Sequence, residues 1–499
     1  MNMLQDLHIL ILGLGDSGLA MVRWCVLQGA KVTVVDNRAE PPGKTKLQAL
    51  GLPVEFKTQA FSADLIEQSD VSAVFKSPGL TPQDVSPVWE VAQARGLWMG
   101  TELSLFSHAL SQLNTEETPY KPQVLAITGT NGKTTVTSLT GLLLERAGCQ
   151  VAVAGNIGPS LLDTLRASLQ ELPQVWVLEL SSFQLDAVDN FVPTAACILN
   201  LTQDHLDWHG DMQAYGQAKA RIWTAAGVVG ILPRNDEQVM SLWPADSTDK
   251  KTAARPRISF GADVPQVPGD FGLSVENGMT WLVRAAPSEE PTGKRGRLQE
   301  EELHIQRLMP ADALRIRGQH NALNALAALA LASTCSPSLA PLLHGLREYT
   351  GEPHRMSPVA VVSDVEYFDD SKGTNVGATV AAINSLGADR KLVVILGGDG
   401  KGQDFSALQG PVKQSVRAVV LIGRDAPLLA QTLKDTGVAL IQAADMNQAV
   451  EQAAQYAQTG DAVLLSPACA SLDMYTSYVA RAQAFTDAVH GLQLMEGTA

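Results

Sequence analysis

The 499-residue sequence predicts an α/β protein of three domains: a Rossmann-like N-terminal domain, a central domain of P-loop ATPase type and a C-terminal doubly wound, Rossmann-like domain. Three observations predict it. A Gly-x-Gly-x-x-Gly turn lies between an apolar strand and a helix at 13–18, a second glycine turn runs into Lys-Thr-Thr at 129–135, and strands alternate with helix-length segments beyond 359. The expected boundaries are 1–115, 116–350 and 351–499.

The formal charge of −15 opposes the field that nucleic acid or an anionic membrane would attract, leaving soluble metabolites as the expected partners. Cys25, Cys149, Cys197, Cys335 and Cys469 are far apart and form no Cys-x-x-Cys pair, so neither zinc nor a disulfide framework is indicated. The apolar stretch 7–14 has no basic leader and no apolar run reaches the length of a membrane span. A cytoplasmic monomer without nucleic-acid or membrane partners is expected.

In the first block, a strand over 8–12 feeds the turn Gly13-Leu14-Gly15-Asp16-Ser17-Gly18 and a helix to about 28. A strand over 31–35 follows and ends at Asp36. Glycines at this spacing let a backbone approach a diphosphate at a helix N-terminus, and an acid about twenty residues on meets a ribose hydroxyl. A nicotinamide-dependent dehydrogenase opens in the same way, but the second phosphate-binding turn argues against it. Ser77-Pro78-Gly79 and Thr101-Glu102-Leu103 also follow strands, either to meet the same ligand or simply to turn the chain. A polar linker is expected over 111–121.

In the middle block, the apolar run 124–128 breaks into Gly129-Thr130-Asn131-Gly132 and delivers Lys133, Thr134 and Thr135 into a helix. Backbone N–H groups and the helix dipole surround an anion there, Lys133 adds a point charge, and the Thr134 hydroxyl can hold Mg²⁺. The loop is shorter than the long form of this motif, which has glycine where this chain has Ile127. So a nucleoside triphosphate is the expected ligand.

Strands over 151–154, 175–178 and 195–199 then end in Asn156, in Glu179 and in the segment 200–207, with Lys219 on the next helix. Glu179 closes an almost wholly apolar strand, where a carboxylate is costly unless it meets a cation. His205, flanked by Asp204 and Asp207, marks a second cation site; its imidazole leaves Mn²⁺ open beside the oxygen-preferring Mg²⁺. From 236 to 310 the apolar rhythm fades, and surface loops with small hairpins are expected. An Ala- and Leu-rich helix then begins near Gly318 and carries Asn321, which either faces a nucleotide base or caps a structural helix.

The last block alternates strands near 359–365, 391–396, 418–422, 438–441 and 462–465 with helices. Lys372, Lys401 and Ser471 follow three of these strands and are expected to share one rim, as a carboxylate or phosphate site.

Six segments, Gly-Thr-Asn-Gly-Lys-Thr-Thr, Glu-Leu-Ser-Ser-Phe-Gln-Leu, Asp-His-Leu-Asp, Pro-His-Arg, Asp-Ser-Lys-Gly-Thr-Asn and Ser-Pro-Ala-Cys-Ala-Ser-Leu-Asp, together resemble the Mur ligase family of peptidoglycan synthesis. The resemblance covers all three blocks in order. It implies ATP-dependent addition of D-glutamate to UDP-N-acetylmuramoyl-L-alanine, with ATP and Mg²⁺ (or Mn²⁺) in the middle block. It implies UDP binding by Gly15, Asp16, Ser17, Gly18, Asp36, Asn37, Arg38, Ser77, Pro78 and Gly79.

For ATP the resemblance implies Gly129, Thr130, Asn131, Gly132, Lys133, Thr134, Thr135, Asn321, Arg355 and Asp370, and for the acceptor end Asn156. Metal ligation falls to Thr134, Glu179, His205 and a carbamylated Lys219; Lys133, His205, Lys219 and Lys372 are the catalytic candidates. Thr374, Lys401, Ser471 and Tyr478 are placed at D-glutamate, although the family usually has Phe where Tyr478 stands. A C-terminal block swinging about 350–353 is expected to close on the substrates.

Overall fold

The computed structural model describes residues 4–188, 190–245, 254–287, 303–336 and 338–496. Each of its three sheets grows from near-continuous apolar strands, the pattern of parallel strands covered on both faces. β1 (His8–Leu12), β2 (Lys31–Asp36), β3 (Val54–Thr58), β4 (Ala73–Lys76) and β5 (Trp98–Gly100) form a parallel sheet in the order β3-β2-β1-β4-β5. The order reverses between β1 and β4, and a ligand crevice opens at the carboxyl ends there. Gly13–Gly18 and Ser77–Gly79 flank that crevice.

The central sheet runs β14-β13-β12-β11-β10-β9-β6-β8-β7. Its strands are β6 (Gln123–Thr128), β7 (Val151–Gly155), β8 (Val175–Glu179), β9 (Ala195–Ile198), β10 (Val229–Pro233), β11 (Arg257–Phe260), β12 (Phe271–Glu276), β13 (Met279–Pro287) and β14 (Leu303–Pro310). Of the surface loops and small hairpins expected over 236–310, the hairpins are present, but they belong to the central sheet rather than to surface loops. β11 and β12 extend the central sheet in parallel, and β12, β13 and β14 close it as an antiparallel meander. Phe260, Phe271, Leu273, Leu282 and Met309 enter the central core, so the apolar residues of these strands recruit the segment to the sheet. Much of the charged stretches, 246–253 and 288–302, lies outside the described residues.

β15 (Ser357–Val362), β16 (Val365–Asp369), β17 (Leu392–Gly397), β18 (Val416–Ile422), β19 (Ala439–Gln442) and β20 (Ala462–Leu465) form the third sheet, ordered β15-β16-β20-β17-β18-β19. The single strand expected over 359–365 is instead a hairpin. Ser363 and Asp364 both adopt positive φ (50° and 60°) and fold β15 antiparallel onto β16. Two consecutive left-handed residues make the tight turn whose twist suits a hairpin.

The blocks are joined in two different ways. The expected linker over 111–121 begins inside the helix Glu102–Leu113, and one apolar cluster runs continuously from the first sheet into the central one through Phe106, Leu113, Leu161 and Trp176. Arg23 ties this face to Asp163 at 2.5 Å. Glu102, 1% exposed, accepts the Leu162 N–H at 2.9 Å, and burial pushes its carboxyl up to about 7. The third block instead meets the central one through polar side chains. Polar contacts cost little to open, so the second junction is the one suited to movement. No helix among the described residues is long and apolar enough to cross a membrane.

Candidate functional site

The phosphate loop leaves β6 at a topological switch, between β8 on one side and β9 on the other. Its two glycines have φ of 145° and 81°, and a Cβ on Gly132 would stand 2.6 Å from the Asn324 Oδ1. The turn therefore needs glycine for both conformation and space. Asn200 stiffens it, accepting the Asn131 N–H at 2.8 Å and donating to the Asn131 carbonyl at 3.0 Å.

Lys133 curls over this loop, donating to the Gly129 and Thr130 carbonyls at 2.9 and 2.8 Å. Lys219, 1% exposed, donates to the same Gly129 carbonyl at 2.9 Å. Two ammonium groups thus crowd one oxygen. Burial, then the Lys133 charge, holds the Lys219 amine well below the ordinary lysine range; burial also lowers Lys133, against the pull of Glu179.

Glu179 lies at the end of β8, with Oε1 accepting from the Asn156 amide at 2.7 Å. Its Oε2 is buried without a hydrogen-bond partner. A bare, buried carboxylate oxygen fits a hard divalent cation, which prefers oxygen ligands. Thr134 Oγ1 accepts from Arg355 at 3.0 Å, which brings the start of the last block onto the phosphate loop.

His205 lies beside Asp204 (3.6 Å), and burial lowers its imidazole to about 4. The sequence expectation that Asp204 and Asp207 flank it in a cation site is corrected. Asp207 is exposed, while Asp204 turns toward the last block, 3.6 Å from the Lys401 ammonium and 3.4 Å from the Asn375 amide. Among the described residues no three His, Cys, Asp or Glu side chains converge as a metal cluster.

A cavity of about 340 Å³ opens beside the loop, lined by Asn131, Gly132, Thr135, Asn321, Arg355 and Asp370, six of the residues expected at ATP. Burial raises the Asp370 carboxyl to about 7. Gly129, Thr130, Lys133 and Thr134 belong to the adjoining loop and helix start. Asn324, in the polar segment 318–324 but not singled out from the sequence, follows Asn321 by one helical turn and donates to its Oδ1 at 3.1 Å.

At the first sheet, Ser77 Oγ donates to the Gly13 carbonyl at 2.8 Å, and Gly18 packs so tightly on that carbonyl that a Cβ would stand 2.1 Å from it. Asp36, 1% exposed, accepts the Leu14 N–H at 2.8 Å and a two-pronged contact from Arg38. It braces the glycine turn and orients Arg38, with little surface left for a ribose. Asp16 pairs with Lys46 at 3.2 Å; Gly15, Ser17, Asn37, Pro78 and Gly79 lie along the same carboxyl edge.

In the last block, Lys372, Ser471 and Lys401 follow β16, β20 and β17, which are adjacent, so they share one rim. The Lys372 ammonium stands 4.0 Å from the Tyr478 ring centre, and burial lowers it to about 8. Ser471 is buried and Thr374 half-buried. Lys401, drawn to Asp204, lies at the junction with the middle block.

Across that junction Asn131 and Asn375 pair amide to amide, at 2.9 and 3.2 Å, while Asn375 also caps the helix Val376–Leu386 through the Ala378 N–H at 2.9 Å. Sequence reasoning did not assign Asn375, although it closes the Asp-Ser-Lys-Gly-Thr-Asn segment. Asn375→Asp keeps the cap but cannot donate to Asn131. Steady-state assays are expected to show kcat/KM for ATP falling about 10-fold in both Asn375→Asp and Asn375→Ala, the scale of one lost hydrogen-bonded pair. A loss confined to the alanine variant would reduce the residue to a helix cap.

The chain matches the Mur ligase MurD-like N-terminal domain over residues 7–98, the Mur ligase middle domain over 127–332 and the Mur ligase glutamate ligase domain over 354–469. It belongs to the Mur ligase family. It is 58% identical over 503 residues to the UDP-N-acetylmuramoylalanine--D-glutamate ligase of Albidiferax ferrireducens, covering 100% of this chain and 99% of that one. The Burkholderia cenocepacia protein of the same name is 52% identical over 501 residues, with 98% of each chain covered.

Among solved structures, the UDP-N-acetylmuramate-alanine ligase of Thermotoga maritima aligns with a TM-score of 0.56 at 20% identity, covering 97% of this Mur ligase and 100% of that chain. The bifunctional folylpolyglutamate synthase/dihydrofolate synthase of Yersinia pestis, complexed with AMPPNP and Mn ion, aligns at 0.52 and 19% identity, covering 83% and 99%. At these identities the likeness is one of fold, and it extends over all three sheets in the first case.

Proposed function

We infer that this Mur ligase joins D-glutamate to UDP-N-acetylmuramoyl-L-alanine, consuming ATP and forming ADP and phosphate, in the building of peptidoglycan precursors. One observation carries the reading. Lys133, Lys219 and Glu179 gather at the phosphate loop, and Lys372 stands close enough to feel the charges of Glu179 and Lys133.

The substrate carboxylate attacks the γ-phosphorus of ATP, the bond to ADP breaks, and an acyl phosphate results. The D-glutamate amine then attacks the acyl carbon, loses a proton, and phosphate leaves. Both partners of the first step are anions. Lys133 and Lys372 lower that repulsion, and the loop N–H groups hold the phosphates in line, the kind of preorganised electrostatics that favours a charged transition state. A divalent cation, Mg²⁺ or alternatively Mn²⁺, held by Thr134 and Glu179 would supply further positive charge beside the phosphates. Asn156, held by Glu179, faces the acceptor end.

The depressed Lys219 amine is neutral often enough to attack CO₂, losing a proton to become a carbamate. That converts a cation into an anionic oxygen ligand next to His205. In this reading residues 1–115 hold the UDP group, 116–350 hold ATP and 351–499 hold D-glutamate, with Thr374, Lys401, Ser471 and Tyr478 at its carboxylates. The enzyme works as a monomer in the cytoplasm.

Phosphate release from ATP, measured with UDP-N-acetylmuramoyl-L-alanine and a panel of D- and L-amino acids, tests the function. Release that depends on D-glutamate and not on L-glutamate is expected. Equal response to both enantiomers, or preference for another amino acid, would remove the assignment.

A further inference from the structure

We propose that Arg481 is a positioning residue that sets the D-glutamate pocket by clamping the loops carrying Lys372, Thr374 and Ser471 onto the helix that carries Tyr478. The proposal rests on the D-glutamate reading above.

Arg481 lies one turn into the helix Tyr478–Glu496 and is 1% exposed. One terminal nitrogen donates to the Ser371 carbonyl at 2.9 Å and the other to the Cys469 carbonyl at 3.1 Å. Ser371 immediately precedes Lys372, and Cys469 stands two residues before Ser471. The two loops also touch directly, through the Ala468 N–H on the Gly373 carbonyl at 3.0 Å. A backbone pair between Asp399 and Ala470 (3.0 and 2.8 Å) adds the loop of Lys401 to the same assembly. One guanidinium thus stands behind all four candidate D-glutamate residues.

The chemistry of the clamp is specific. Among the described residues no carboxylate lies within ion-pair distance of Arg481, and its Nε is buried without a partner. A buried cation hydrogen-bonded only to carbonyls, with the Asp473 and Asp369 charges beyond ion-pair distance, is costly, and a Met or Leu of similar volume would pack the helix without that cost. A planar fork places its donors on two separate nitrogens at a fixed angle and so sets the spacing of two carbonyls from different loops; a lysine has all its donors on one nitrogen and cannot fix that spacing. The clamped segment also holds Ala468 at a φ of 58°, a conformation that a non-glycine residue keeps only when its surroundings enforce it. Burial lowers the guanidinium only to about 10, so the charge persists at neutral pH behind a pocket that must accept a dicarboxylate.

The test uses the full chain and the variants Arg481→Met and Arg481→Lys. In both, the KM for D-glutamate is expected to rise about 10- to 100-fold, the scale of a displacement near 1 Å, while the KM values for ATP and the nucleotide sugar stay within about twofold. The clamp is overturned if the D-glutamate KM moves no more than that for ATP. Loss of the thermal transition in both variants also overturns it, because Arg481 would then support the sheet as a whole. An unsubstituted chain indifferent to D-glutamate would remove the functional reading itself, before any variant is compared.

Discussion

Lys133→Ala is expected to lower kcat at least ~100-fold, the usual scale for removing one group that meets charge developing in a transition state. In the structure the ammonium is folded back on the Gly129 and Thr130 carbonyls, so it is already placed over the loop. Loss of the side chain removes a cation from a site where Lys219 and Glu179 remain, which leaves the loop glycines and Asn200 to hold its shape. Nucleotide affinity should fall less than turnover, because the loop N–H groups and the side chains lining the cavity are left in place. Near-normal turnover in phosphate-release assays would refute the role.

Lys219→Ala is expected to cost at least about 100-fold in kcat as well, since a buried charged group at the phosphate loop disappears without replacement. The carbamate reading makes a further demand. In the intact chain, labelled bicarbonate should give a ¹³C carbamate resonance that is lost in Lys219→Ala. Such a signal is expected to grow with pH, because the attacking amine must be neutral and burial already favours that form. A strong activity loss with no carbamate resonance at any pH would leave Lys219 as a plain cation and remove the carbamate from the scheme.

Most strand-end loops were legible because glycine and buried apolar runs report locally. Gly129 and Gly132 need positive φ, and Lys133 follows them by simple chain order. The same logic placed Glu179 and Ser471 after their strands. Segments without strong local contrast were misread. β11 to β14 are short apolar runs set among charged and Pro/Gly-containing stretches, and pairing with the central sheet decides which sheet they join. The β15–β16 hairpin hinged on Ser363 and Asp364, a polar pair too short to stand out.

Asp36 shows the limit more sharply. Its position after β2 matched a ribose-binding acid, yet Leu14 and Arg38 take up its carboxylate, and only the fold reveals that. Likewise Asp204 does lie beside His205, but Asp207 is exposed, and the contacts of Asp204 with Lys401 and Asn375 across the junction are visible only in the fold.

By itself the sequence determined the two glycine turns and the parallel strands that precede them, because these follow from short-range sterics and apolar periodicity. Tertiary structure alone decided which distant side chains meet: Asn131 with Asn375, Lys401 with Asp204, and Arg481 with the carbonyls of Ser371 and Cys469. The physical reason is that these contacts join groups separated by about one hundred residues or more, or lying on different loops. Such groups come within hydrogen-bond reach only once the apolar cores have fixed where each sheet edge stands.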